Sequence, residues 1–160
     1  MNITTQEKID EIKSKLQGAE DTDFAYMSTP VKELRHYVLY VHSSLERSLE
    51  IRIGRHIVAH LNPTKEEKQK VYWNMKDVLE EIDYAKKIKI AQKQGVIPSE
   101  MVSKLFAVNN IRVPFAHPSS YQEKLREYRD EAKELEAYEI LNAAYHAMDN
   151  LWLDEQKKGI

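Results

Sequence analysis

The amino-acid sequence predicts an all-α protein, an elongated helical bundle of four to five helices of which three are long, and three observations point there. Only four glycines and five prolines stand among 160 residues, too few for the tight turns of a sheet protein. Apolar residues recur at spacings of three and four over long stretches, the period of a helix with one buried face. Hydroxyl residues followed three positions later by glutamate mark helix starts, because each side chain satisfies an amide that the first turn leaves unpaired. The length fits one domain, residues 1–160, able to hide roughly two thirds of its unfolded surface.

Thr4 with Glu7 opens a first helix over residues 5–17, with Ile9, Ile12 and Leu16 on one side and a stop at Gly18. A polar linker over residues 19–28 is expected to be mobile. Thr29 followed by Pro30 starts a second helix, 30–61, carrying Val31, Leu34, Val38, Val41, Leu45, Leu49 and Ile53, and Asn62 with Pro63 ends it. Thr64 and Glu67 cap a third long helix, 65–94, with Val71, Met75, Val78, Ile82 and Ala85 on its stripe and Gly95 as a left-handed stop.

Ser99 caps a short fourth helix holding Val102, Leu105, Phe106 and Val108, which Pro114 should interrupt because proline lacks the amide the ladder needs. Ser120 with Glu123 opens the last helix, 120–156, whose seam runs through Tyr121, Leu125, Tyr128, Ala132, Leu135, Tyr138, Leu141, Tyr145, Met148 and Trp152. Such a helix would be roughly 55 Å long, more than the width of a compact domain of this size. Part of its stripe then requires cover by another chain, and a homodimer is the expectation.

The 24 basic and 26 acidic side chains nearly cancel to a formal charge of -2. Global charge therefore recruits neither nucleic acid nor an anionic membrane, and any phosphate contact must come from a local cluster. The absence of cysteine excludes a disulfide framework, a thiolate nucleophile and any cysteine-ligated metal. No leader-like apolar run and no stretch approaching the roughly 20 apolar residues of a membrane span is present, which points to the cytoplasm.

One segment can carry chemistry: Asn109-Asn110-Ile111-Arg112-Val113-Pro114-Phe115-Ala116-His117-Pro118, at the junction between the fourth and the last helix. Arginine presents a planar, permanently charged fork suited to phosphate, and histidine titrates near neutrality and can give or take a proton. A second Arg-x4-His match, Arg55 to His60, lies inside a continuous helix, so junction context favours Arg112 and His117. The plain alternative is that Arg112 satisfies helix C-terminal carbonyls and His117 decorates a turn.

The segment resembles the HEPN superfamily, small helical bundles that often dimerise and carry Arg-x4-6-His beside a long helix, frequently ending in Ala-His as Ala116-His117 does. The likeness rests mainly on residues 109–118, with looser support from the helix that contains residues 42–50 and from the helix order. It implies a metal-independent endoribonuclease in which two motifs meet across a dimer cleft and the ribose 2′-hydroxyl attacks the adjacent phosphate. His117 would move the proton and Arg112 would stabilise charge on the phosphoryl oxygens. Val113 stands where active members usually carry a polar residue, and Pro114 is also unusual; some members bind RNA or partners without cutting.

Glu46, on the edge of the second helix's apolar stripe, can hold Arg112 or orient a histidine, or it can pair with Arg47 or Arg52 on a solvated face. His42 lies one turn earlier, and Asn109 and Asn110 are further supporting polar groups. His56 and His60 lack the glutamate and third ligand that a zinc site needs, and the single Glu-x-x-His of Glu33 and His36 is half of a di-iron motif, so neither metal nor cofactor is expected. Lys86, Lys87, Lys89 and Lys93 form a basic helix end that either faces phosphate or complements the helix dipole. Glycines at 18, 54, 95 and 159 leave no phosphate loop or nucleophile elbow, and Gly54 reads as a close helix crossing. Two functions follow: an RNA-binding, RNA-cleaving homodimer, or a non-catalytic helical dimer that regulates or shields a protein partner.

Overall fold

In the computed structural model, which describes residues 3–23 and 33–159, seven α-helices succeed one another: α1 (Thr5–Asp23), α2 (Leu34–Leu61), α3 (Lys68–Glu80), α4 (Tyr84–Gln94), α5 (Ser99–Ala116), α6 (Gln122–Glu127) and α7 (Glu131–Lys157). A single 3-10 turn, Pro118–Ser120, links α5 to α6. No strand occurs among the described residues, and none of their helices is long and apolar enough to cross a membrane. The bundle is all-α, as composition and periodicity require, although its breaks fall in other places.

The centre of the bundle is α2, which packs against α1, α3, α4, α5 and α7. Its stripe of Leu34, Val38, Val41, Leu45, Leu49 and Ile53 is buried as the spacing predicts, and Asn62, in the left-handed region at φ 45°, ends it just before Pro63. Ile9, Ile12 and Leu16 of α1 are buried too, against α7 and α2. The Thr4 and Glu7 capping box forms in both directions, at 2.8 and 3.2 Å.

Gly18 does not stop α1. The helix continues to Asp23, since a lone glycine in a helix costs only about 1 kcal/mol and Gly18 does not adopt a positive φ. Residues 19–23 of the expected mobile linker are therefore helical. Residues 24–28, with Thr29 and Pro30, lie outside the described residues, and the second helix begins at Leu34 after an extended Glu33 rather than running unbroken from Pro30.

The third long helix is in fact two. The Thr64 and Glu67 box forms at 3.3 and 3.4 Å, but α3 ends at Glu80 and α4 restarts after Asp83, whose carboxylate accepts the Lys86 amide at 2.9 Å. That bond holds the Asp83 carboxyl below its ordinary range. In α3 the buried residue is Leu79, and Val78, expected inside, is 56% exposed; the restart then sets a new phase, with Tyr84, Lys87, Ile88 and Ala91 buried in α4. Gly95, at φ 69°, closes α4 as expected.

Pro114 does not interrupt α5. It stands two residues before the helix ends, so the only bond forfeited is the one to the Asn110 carbonyl, and Asn110 is exposed. Ser99 is the first helical residue rather than the cap; Pro98 precedes it. The expected Ser120 and Glu123 box also fails to form, because Ser120 is taken up in the 3-10 turn and α6 starts from Tyr121 without a side-chain cap.

A further turn at 128–130 separates α6 from α7. The last helix therefore spans 27 residues, roughly 40 Å. Its inner stripe of Ala137, Tyr138, Leu141, Ala144 and Met148 is covered by α1, α2 and α5 of the same chain. Tyr121, at the start of the expected seam, is 40% exposed. The length of this helix thus gives no reason for a second chain.

One charged clasp ties the far ends together. Arg52 of α2 donates to both carboxylate oxygens of Glu155 on α7 at 2.7 and 2.8 Å and to the Val96 carbonyl at 3.1 Å, with its guanidinium 4.3 Å from the Trp152 ring centre. Bidentate pairing and stacking are what arginine, unlike lysine, supplies.

Gly54 is buried where α2 meets α3, and a β-carbon added there would lie 3.4 Å from the Tyr72 ring, an ordinary contact. Gly54→Ala should therefore stabilise the protein by about 0.5–1 kcal/mol through helix propensity, read as a raised urea midpoint. A lowered midpoint would mean that the crossing requires glycine for space.

Candidate functional site

The polar centre of the molecule is built where α2, α4 and α5 meet. Glu46 and Glu50 are one turn apart on α2, beside the buried Leu45 and Leu49, and so present two carboxylates to whatever packs there. Lys87 of α4 answers them: its ammonium donates to Glu46 Oε1 at 2.8 Å and to Glu50 Oε1 at 2.6 Å, with 1% of the side chain exposed. Burial alone would lower the lysine pKa, but the hydrogen bonds and charges of the two glutamates outweigh it and raise the value above normal. Glu46 is therefore held by a lysine from another helix, and the expected pairing with Arg47 or Arg52 does not occur.

His42, one turn before Glu46, is buried with its Nδ1 3.8 Å from Glu46 Oε2 and its ring centre 4.3 Å from that of Tyr84. The Tyr84 hydroxyl donates to the Leu105 carbonyl at 3.2 Å, joining α4 to α5. Burial, aided by the charge of Arg112 and of Lys87 and opposed by Glu46, lowers the His42 pKa to about 4. Tyr84 is raised above its ordinary value, by burial first and by Glu46 next, with Arg112 opposing. The Arg112 charge thus acts on both groups, lowering His42 and opposing the rise of Tyr84.

The structure thus brings His42 and Glu46 together, with the charge of Arg112 acting on His42. Arg112 is half-buried, and no carboxylate among the described residues lies within 4 Å of it. His117 caps the end of α5: its amide donates to the Val113 carbonyl at 3.1 Å and its side chain is exposed. Arg112 stands inside α5, whereas His117 closes it with a non-helical backbone at φ -129° and ψ 61°.

Asn110 lines a small pocket against α6 and α7, with Lys124, Tyr128 and Lys133, away from Arg112's face, and Asn109 is half-buried on α5. His56 and His60 stack with ring centres 4.2 Å apart, and His60 Nδ1 lies 3.1 Å from the His56 carbonyl oxygen. Among the described residues no group of three histidines, aspartates or glutamates is placed to hold a metal. The four lysines of α4 do not act as one patch, since Lys87 is buried and Lys86 pairs with Asp83 at 3.4 Å.

Lys87 and Tyr84 are the residues that periodicity missed. A signal for the first existed, because two glutamates one turn apart on the edge of an apolar stripe require a cation from the packed neighbour. The chain matches no protein-family model, no curated protein and no solved structure. The likeness to HEPN domains accordingly rests on residues 109–118, the helix that contains residues 42–50 and the helix order.

His42 also makes stability depend on pH. Its folded pKa of about 4 lies below the ordinary 6.5, so the unfolded chain binds the proton first as pH falls. The contribution is complete above pH 6.5 and is lost between there and about 4, up to about 3 kcal/mol. Denaturant titrations should show His42→Gln flattening that part of the profile; an unchanged slope would overturn this role for His42.

Proposed function

We propose that this chain is a HEPN-like RNA-binding protein that cleaves RNA without a metal, with Arg112 and His117 drawn from two protomers of a homodimer. The observation that supports this reading is the state of the two side chains. Arg112 is a half-buried guanidinium with no carboxylate within ion-pair distance among the described residues, and His117 is exposed at the end of the same helix. In this reading the two side chains meet across a dimer cleft, as the likeness to HEPN domains implies.

In that pocket the ribose 2′-oxygen forms a bond to phosphorus and the bond to the 5′-oxygen breaks, giving a 2′,3′-cyclic phosphate and a 5′-hydroxyl end. His117 takes the 2′-hydroxyl proton, and a proton is returned to the leaving 5′-oxygen. Arg112 stabilises the charge that develops on the phosphoryl oxygens. Glu46, the carboxylate expected to hold Arg112, is instead occupied by the buried Lys87.

A second reading has its own observation. Leu61, Trp73 and Val78, at the end of α2 and along α3, are 60%, 50% and 56% exposed, and large apolar groups left in water mark contact with protein partners. A non-catalytic dimer that regulates or shields such a partner would use that surface and leave RNA intact.

The two are separated by incubating the protein with mixed-sequence RNA in a chelator and analysing the fragment ends. Cleavage should yield cyclic phosphates and fall at least a hundredfold in Arg112→Ala and in His117→Ala. Mixing those two variants should restore part of the activity, since each mixed dimer then holds one complete site. Intact RNA, or cleavage indifferent to the substitutions, removes the nuclease reading; failure of the mixture to recover places the site within one chain.

A further inference from the structure

Beside His117 the 3-10 turn and α6 build a polar groove lined by Pro118, Ser119, Gln122, Leu125, Arg126 and Arg129. Its volume of about 360 Å³ is at the small end of ligand sites, which suits one nucleotide at a time. Arg126, in the last turn of α6, and Arg129, in the turn that follows it, are both exposed and both line the groove. No carboxylate among the described residues lies within 4 Å of either. The nearest in sequence, Glu127, is taken by Lys124 at 3.2 Å, and Glu123 and Asp130 do not line the groove.

Two further features accompany this charge. Ser119 and Gln122 offer a hydroxyl and an amide to phosphate or sugar oxygens. Tyr121, next to Gln122 in the chain and outside the groove's own lining, is 40% exposed, an aromatic face on which any base can stack. Cations that track a backbone, interleaved with an exposed ring, are the combination that holds single-stranded nucleic acid without reading its sequence.

We propose that this groove binds single-stranded RNA, with Arg126 and Arg129 on successive phosphates and Tyr121 stacked on a base, and that it leads the strand past His117. The inference rests on the RNA-binding reading above and adds the surface that carries the affinity. The groove's own lining carries two arginines and no carboxylate, so phosphate entering it meets cations first.

The test is fluorescence anisotropy with a labelled 2′-O-methyl RNA 20-mer, which has no free 2′-hydroxyl and is not cut, measured across a salt series. Arg126→Ala with Arg129→Ala should weaken binding at least tenfold at low salt and reduce the salt slope by about 1.4, with the melting temperature unchanged because both side chains are exposed. Arg126→Lys with Arg129→Lys should keep the slope, and Tyr121→Ala should weaken binding severalfold without altering it. Equal affinity and slope in the alanine pair and the original protein would overturn the groove while leaving RNA binding in place. No binding by the original protein would overturn the RNA reading itself, and binding of the duplex as tightly as the single strand would overturn the single-strand assignment.

Discussion

The arrangement of the bundle's centre depends on a buried ammonium, that of Lys87, held between Glu46 and Glu50. Moving a charge out of water costs several kcal/mol even after relaxation, and only close opposite charges and good hydrogen bonds offset it. Lys87 has both, at 2.8 and 2.6 Å. The bond therefore selects one rotation of α4 against α2. Tyr84, three residues earlier on the same face, follows that rotation and lands on His42, and its hydroxyl then anchors α5 through the Leu105 carbonyl. The direction in which α5 presents Arg112 is thus inherited from an ion pair on two other helices.

Charge and apolar packing divide the work along α2. Its valines, leucines and isoleucine supply the non-directional burial that makes a compact bundle, but such contacts tolerate sliding and rotation. Glu46, Glu50 and Arg52 do not, because each must meet a particular donor or acceptor. The Arg52 pair with Glu155 positions the C-terminal half of α7 in the same way that Lys87 positions α4. A core read only as hydrophobic would miss both constraints.

What the sequence made legible follows the same division. The buried faces of α1 and α2 could be read directly, since an uninterrupted helix keeps its phase and the spacing of Ile9, Ile12 and Leu16 or of Val38, Val41 and Leu45 maps onto one side. Phase was lost wherever a short-range bond ended a helix without a glycine or proline, as Asp83 does with the Lys86 amide and the turn at 128–130 does before α7. Pro114 illustrates the opposite error: a helix breaker has little to break in the last turn. The types of residue at the candidate site, Arg112, His117, His42 and Glu46, were visible from the start. Their directions were not, because those depend on contacts from α4 whose register no local pattern reveals.

The cap at Asp83 has a consequence for how the chain tolerates change in length. Since α4 restarts from its own hydrogen bond, α3 and α4 are phased independently, and the connection at 81–83 acts as a joint that absorbs insertions or deletions upstream without turning α4. No such slack exists downstream of the cap. One residue added between Asp83 and Lys87 would swing the ammonium by about 100°, stranding two carboxylates against leucines, so the tolerance of this molecule to indels should change abruptly across a single aspartate.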